Sequence, residues 1–391
     1  MIPRGEVGLI TASIGWAAGL ISPPVFALVV ALVLASTLIT PLLLGLVARA
    51  PAGGGPRPSD TESETALEGK PEGGEAWSSF PRWLRARATS FKLLAVLFLT
   101  VVTMPACAMK KFAVNKLGDA IASGGTVYAS DNDPELVRES VPFSLKLIES
   151  LLADSPKHRG LLMAAAKGFT EYGYAFVEED ADELEGHDLE SANRTHARAR
   201  LLYLRARDYG LRGLEVRHRG FGEALRENPK LAVRRIRSRK EVPLLYWTAA
   251  SWGLAISISK DNPDLVADQP IVEALIDRAL QLDEGFDEGA IHSFLISYEP
   301  SRQGIEGDPL KRSRKHFQRA VELSGGKLAG PFVAFAETVD VQKQDRAEFQ
   351  SLLKKALDIN PDAQPETRLE NLVEQQRARW LLARADELFA Q

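Results

Sequence analysis

One side chain in the sequence is placed for covalent chemistry: Cys107, the only cysteine in 391 residues. A basic run of Arg82, Arg85, Arg87 and Lys92 precedes an unbroken apolar core from Leu93 to Thr103, and Met104-Pro105-Ala106 leads directly into the thiol. Basic flank, apolar core and small-residue site make the three-part layout of an export signal, displaced far from the N-terminus. The core is shorter than the roughly 20 residues that cross hydrocarbon comfortably. The segment therefore reads as a processing signal that ends at the thiol. A free cysteine buried behind a short hydrophobic helix is the alternative.

The other groups suited to a site are non-covalent. Tyr246, Trp247 and Trp252 share one predicted helix, where they either line a ligand cavity or serve as plain core. Lys260, Asp261 and Asn262 follow at its end, as polar contacts to such a pocket or as a cap and turn before Pro263. Asp287, Glu288, His292 and Glu299, expected on the next helix, add polar contacts or form a solvated face. His187 lies in the acidic stretch Glu178 to Glu190, which lacks HExxH and EF-hand spacing and reads as a solvated loop, so no metal is expected. The basic run Arg234, Arg235, Arg237, Arg239 and Lys240 suits solubility or an acidic partner. Phosphate-loop, GxSxG and Ser/His/acid groupings are missing. The sequence asks for neither an enzyme nor a cofactor.

The elements that must hold these residues fall into four parts. Residues 1–48 hold two apolar runs, Gly5 to Ile21 and Val25 to Ala48, separated by Ser22-Pro23-Pro24, and read as a transmembrane hairpin. Residues 49–81, rich in Gly, Pro, Ser, Glu and Thr, cannot bury enough apolar surface to fold and read as a disordered linker. Residues 82–107 are the signal, and 108–391 form an all-α body with no convincing strand alternation.

Helices are expected at Asp133 to Ala153, His158 to Val177, His196 to Arg217 and Val242 to Ser259. Val272, Leu275, Ile276, Ala279 and Leu280 recur on one face of a helix. Asp308-Pro309 opens another helix that ends at Gly325-Gly326, and a third runs from about Ala347 to Ile359. Ala279, Ala320 and Ala356 recur in similar strings 41 and 36 positions apart, near the 34-residue tetratricopeptide period. The fold expected is a divergent array of helix pairs, with a non-repeating bundle as the alternative. A net charge of -4 and a pI near 6.0 argue against a nucleic-acid binder. A single cysteine excludes an internal disulfide or a cysteine-rich zinc site.

Three resemblances extend this reading. The stretch from Arg82 to Cys107 resembles a bacterial lipoprotein signal, although Met104-Pro105 departs from the usual aliphatic and small pair; the resemblance implies that Cys107 is lipidated and becomes the mature N-terminus. PRGEVGLITASIGWAAGLI and VFALVVALVLASTLITPLLL, about residues 3–47, resemble the last two membrane helices of a monovalent cation:proton antiporter. A lone hairpin cannot alternate access around a midplane site, so no transport is expected from it; if made, it would sit in the inner membrane.

From Met109 onward, MKKFAVNKLGDAIASGGTVYASDNDPELVRESVPFSLKLIESLL, ARARLLYLRARDYGLRGLE and VPLLYWTAASWGLAISISKDNPDLVADQPIVEALIDRALQLDEGFDEGAIHSFLISYE resemble the TatT family. These are tetratricopeptide-containing lipoproteins associated with TRAP transporters. The resemblance implies a lipid-anchored protein facing the periplasm, on the outer membrane if Ala108 follows the usual sorting tendency. It implies work beside a TRAP-type periplasmic solute-binding protein, a homotrimer, and a cavity that holds or passes an apolar ligand. A general envelope scaffold without a small ligand is the alternative.

Overall fold

The computed structural model describes residues 114–121, 125–302 and 304–390. The expected hairpin (1–48), linker (49–81) and signal with Cys107 (82–107) lie outside the described residues. Every regular element among the described residues is helical, and they belong to one compact unit within Met104–Gln391.

The N-terminal elements are α1 (residues 114–121), α2 (Gly125–Ala129), α3 (Pro134–Asp154) and α4 (Arg159–Tyr172). Asp133 caps α3 by accepting from the Leu136 amide, with Pro134 at the first helical position. The helix of α4 does not stop where the sequence suggested. It passes through a π-segment, Gly173–Glu178, into α5 (Glu179–Glu185). Most of the acidic stretch expected as a solvated loop is thus helix, because Val177 and Ala181 pack inward and carry the acids with them. Then come α6 (Leu189–Glu215), α7 (Phe221–Glu227) and α8 (Pro229–Val233). Asp188 caps α6 by accepting from the Ser191 amide at 3.0 Å, so this helix begins well before the expected His196.

The central helix is α9 (Val242–Ser257), VPLLYWTAASWGLAIS, apolar on nearly every side. A helix with no polar face must be surrounded, and α4, α6 and α11 (Gln269–Leu282, after the short α10, Pro263–Val266) pack on it. The C-terminal part adds α12 (Ala290–Tyr298), α13 (Pro309–Leu323) and α14 (Gly330–Phe335). A second π-segment, Ala336–Asp340, runs from α14 into α15 (Val341–Lys343), followed by α16 (Arg346–Asp358), α17 (Arg368–Ala383) and α18 (Ala385–Leu388). Neighbours in sequence are neighbours in space: α12 packs on α13, α14 on α16, and α16 on α17. Ala279, Ala320 and Ala356 are fully buried, and Gly325 and Gly326 end α13 with φ of 61° and 71°, a conformation that favours glycine.

Three apolar clusters broadly follow this order along the chain, and the residue farthest out of order comes from its end. Val373 of α17 belongs with Val137, Leu145 and Tyr203 in the N-terminal cluster. The Arg368 guanidinium also donates to the Ser130 carbonyl at 2.7 Å. The last long helix therefore returns to the first ones.

The α6–α9 contact is set by glycine. A Cβ on Gly210 would stand 2.2 Å from Thr248 Oγ1, whose hydroxyl is already committed to the Leu244 carbonyl. Gly210→Ala should lower unfolding stability by about 1–3 kcal/mol through overpacking. Gly186→Ala, with open space around the new methyl, should change it little. Urea titrations of the two variants make the comparison.

Candidate functional site

Two helix faces that look solvated in sequence meet inside the molecule. Along α4 and its π-segment, Lys167, Glu171, Tyr174 and Glu178 recur at three- and four-residue spacing, which keeps them on one side. Along α17, Glu370, Glu374 and Arg377 do the same. The two stripes are matched in register. Glu370 acts electrostatically on Lys167, Tyr174 Oη donates to Glu374 Oε1 at 3.5 Å, and Arg377 Nη2 donates to Asp182 Oδ2 of α5 at 2.6 Å.

The same Arg377 nitrogen donates to Glu337 Oε1, carried by the second π-segment, and its guanidinium lies over the Trp380 ring at 4.3 Å. Both π-segments among the described residues thus deliver an acid to this place, Glu178 from one and Glu337 from the other. A π-turn inserts one extra residue and re-aims the side chains beyond it, which is why such turns recur at functional sites.

The wider end is formed by Lys167, Glu171, Glu370 and Asp287. Asp287 and Glu288 sit in a turn with φ of 47° and 52°, followed by Gly289 at 96°, rather than on the helix expected for them. Non-glycine residues in the left-handed region cost energy, and the surroundings must hold them there; the Gln364 side-chain amide does so by donating to Glu288 Oε1 at 2.6 Å. Lys167 Nζ lies 3.5 Å from Glu171 Oε1 and 5.6 Å from the Trp247 ring. The Lys167 and Glu171 side chains are 43% and 50% accessible, yet burial is the main influence on Glu171. Water reaches them, but protein encloses them. They line an interior space.

Enclosure sets the protonation. Burial pushes Glu179 up to about 9, assisted by the Glu374 charge. It raises Glu370 to about 8, with Glu374 again the next influence, and Glu374 and Glu178 to about 7. Tyr174 is held well above its usual value, first by the Glu374 charge. Lys167 is raised, first by Glu171. A space lined by carboxyl groups that still hold protons near neutrality can both donate and accept hydrogen bonds.

A model of the family described as the TRAP transporter T-component matches residues 130–389, a span that takes in both stripes and both π-segments. The chain belongs to that family. An uncharacterized protein of Treponema pallidum (strain Nichols) is 25% identical over 317 residues, covering 77% of this chain and 98% of the relative.

Within this T-component, the residues singled out from the sequence are dispersed. Tyr246 reaches the wide end, where Asp287, Glu370 and Glu171 bear on its hydroxyl, its ring packing against Trp247 and Phe286 at 4.9 and 5.4 Å. Trp247 lies beneath Lys167. Trp252 is elsewhere, under the Arg207 guanidinium at 4.9 Å. Lys260 and Asp261 line a separate cleft of about 400 Å³ with Asp182, Glu185 and His196. One ligand atom from each of these last three lies within 4.8 Å of the others, but Asp182 is already taken by Arg377 and by His196 at 3.0 Å. His292 is buried against His316, Nδ1 to Nδ1 at 2.8 Å, between α12 and α13. Sequence reasoning missed Glu171, Glu179, Glu370, Glu374 and Arg377, since a charged stripe facing an interior space has the same spacing as one facing solvent.

The raised acids make stability fall with pH. A glutamate at its usual value of 4.5 when unfolded, but at 7 to 9 when folded, binds more protons in the native state. Stability is therefore fullest below about pH 4.5 as far as these groups go, and is lost as pH rises toward 9. Glu179→Gln, which removes the largest of these shifts, should flatten the decline and raise stability at pH 8 by at least about 1 kcal/mol. Thermal melts between pH 5 and 9 on both proteins are the measurement.

Proposed function

We propose that this T-component is a lipid-anchored envelope protein that binds a small ligand in the space between α4 and α17 and docks a TRAP-type periplasmic solute-binding protein. The observation that carries the ligand-binding part is the return of α17 onto α4, which brings two polar stripes together, water-accessible at Lys167 and Glu171, beside Tyr246 and Trp247. An enclosed space with an aromatic wall and a few convergent polar groups is what small-molecule sites need. The carboxyl-rich lining favours a ligand with a polar end over the wholly apolar one that the family resemblance implies. The role is binding rather than catalysis.

The architecture is consistent with a divergent tetratricopeptide-like array, supported by the serial side-by-side packing of helices and by the buried alanines near their ends. Such arrays present concave surfaces to partners, here to the solute-binding protein, and a homotrimer is part of the same reading. The anchor rests on Cys107: several acyl chains on one cysteine would hold firmly where a single chain holds only marginally.

Two measurements test the proposal. Mass spectrometry of the mature product should find an acylated N-terminus at Cys107, and Cys107→Ala should abolish acylation and processing. An intact, unlipidated chain from Met1 would overturn the anchor. Crosslinking in intact cells followed by affinity purification should enrich a TRAP solute-binding protein at least about tenfold over a purification from cells lacking the tagged chain. Enrichment of other envelope proteins, with TRAP components at background, would favour a general scaffold.

A further inference from the structure

Among the described residues, two buried acids outside this interior are held by counter-charges, although Asp340 is fully buried without a bonded one. Glu241 is held by Arg159 and Arg217 at 2.5 and 2.8 Å, and Glu299 by Arg302 and Arg312 at 3.0 and 2.5 Å. That is the usual requirement, because an unpaired buried charge costs several kcal/mol. The interior between α4 and α17 departs from it. Arg377 spends Nη2 on both Asp182 and Glu337 and Nε on Glu337 at 3.4 Å, and among the described residues no arginine or lysine is bonded to Glu179 or Glu374.

The departure shows in two atoms. Glu179, 8% exposed, has its Oε1 buried with no hydrogen-bond partner. Arg377, 9% exposed, has Nη1 in the same condition. They belong to one network, since Glu374, Arg377, Glu337 and Asp182 are the charges that bear most on Glu179. An acceptor and a donor, both unspent and both nine-tenths buried, stand in one acid-rich network.

We infer that this network recognises a ligand carrying an ammonium group beside a hydrogen-bond-accepting oxygen, with the ammonium on the Glu179 and Glu374 carboxylates and the oxygen taking the N–H of Arg377 Nη1. The inference rests on the reading of this interior as the ligand site. Charge decides the class. Acids outnumber the cations Lys167 and Arg377, so a carboxylate ligand would add to the excess and an ammonium would offset it. Tyr246 and Trp247 at the wide end suit the apolar remainder of such a molecule.

Binding should displace protons. The groups that face Glu179 are Tyr174 from the first π-segment, Asp182 from α5, Glu337 from the second π-segment, and Glu374 and Arg377 from α17. Glu179 and Glu374 hold protons near neutrality, and an incoming ammonium favours their ionised forms. Up to about one proton per ligand should therefore leave for the buffer.

L-leucinamide and 4-methylpentanoate share a carbon skeleton and differ in the groups that matter, the first with an ammonium and an amide oxygen, the second with a carboxylate. Titration calorimetry of the mature protein at pH 7.5, in two buffers of different ionisation enthalpy, should show saturable binding of L-leucinamide with net proton release, and no binding of 4-methylpentanoate. Glu179→Gln and Glu374→Gln should each weaken L-leucinamide at least tenfold while keeping the helical circular-dichroism spectrum. Glu190→Gln, on the outer surface, should leave it unchanged. Binding of 4-methylpentanoate instead would overturn the ammonium class and leave a ligand-carrying interior standing. Binding of neither probe would overturn the inference and the ligand-carrying part of the proposed function together. L-leucinamide binding that Glu179→Gln and Glu374→Gln do not weaken, or that takes up protons, would also overturn it.

Discussion

The contact on which the rest depends is the clasp between α17 and the α4–α5 helix. Val373 enters the N-terminal apolar cluster, Arg368 reaches the Ser130 carbonyl, and Arg377 ties Asp182 to Glu337. These join residues nearly 200 to more than 200 positions apart. Without them the helical body would be an open series in which each helix touches only its neighbours, and the acids of α4 and α17 would face bulk water. With them, the same acids face one another. Glu374 of α17 raises Glu179 of α5 as a consequence of that closure.

Closure has a cost, and the structure shows where it is met. Bringing Glu178, Glu179, Glu370 and Glu374 together under partial desolvation disfavours their charged forms, and they respond by keeping protons rather than by recruiting arginines. Apolar packing supplies the compensation. Phe335 and Phe349 are fully buried, as are Leu161, Leu162 and Leu245, and each such side chain contributes on the order of 1.5–3 kcal/mol. A destabilised polar interior held inside a well-packed shell is the expected form of a binding site, where some stability is exchanged for groups that a ligand can satisfy.

The π-segments link local backbone to this arrangement. Gly173, fully enclosed against the Tyr203 ring, opens the first, where a Cβ would stand 2.8 Å from Tyr203 Cε1. Tyr203 in turn donates to Glu178 at the end of the same segment. The second segment carries Glu337 to Arg377. A regular α-helix in either place would rotate the residues beyond it by about 100°, taking Glu179 and Asp182, or the end of the second helix, away from the shared interior. The strained turn at Asp287 and Glu288 does the corresponding work at the wide end.

Much of the helical body is legible in the sequence because it depends on local rules. Asp133-Pro134 and Asp308-Pro309 open helices by side-chain capping, Gly325-Gly326 closes one by its positive φ, and the apolar spacing at Val272, Leu275, Ile276 and Ala279 places a buried face correctly. The family resemblance was also carried by residues in order, and the match over 130–389 confirms it. The candidate site was legible only in its aromatic members. Tyr246 and Trp247 were marked by aromatic content, whereas Glu171, Glu179, Glu370, Glu374 and Arg377 carry the spacing of an ordinary solvated face. Whether a charged stripe meets water or another charged stripe depends on which distant helix packs beside it. By itself the sequence determined an all-helical body, its caps and its family. Only the tertiary structure decided that its last long helix packs against the acids of an early one, because that contact is a long-range packing event with no local periodicity to announce it.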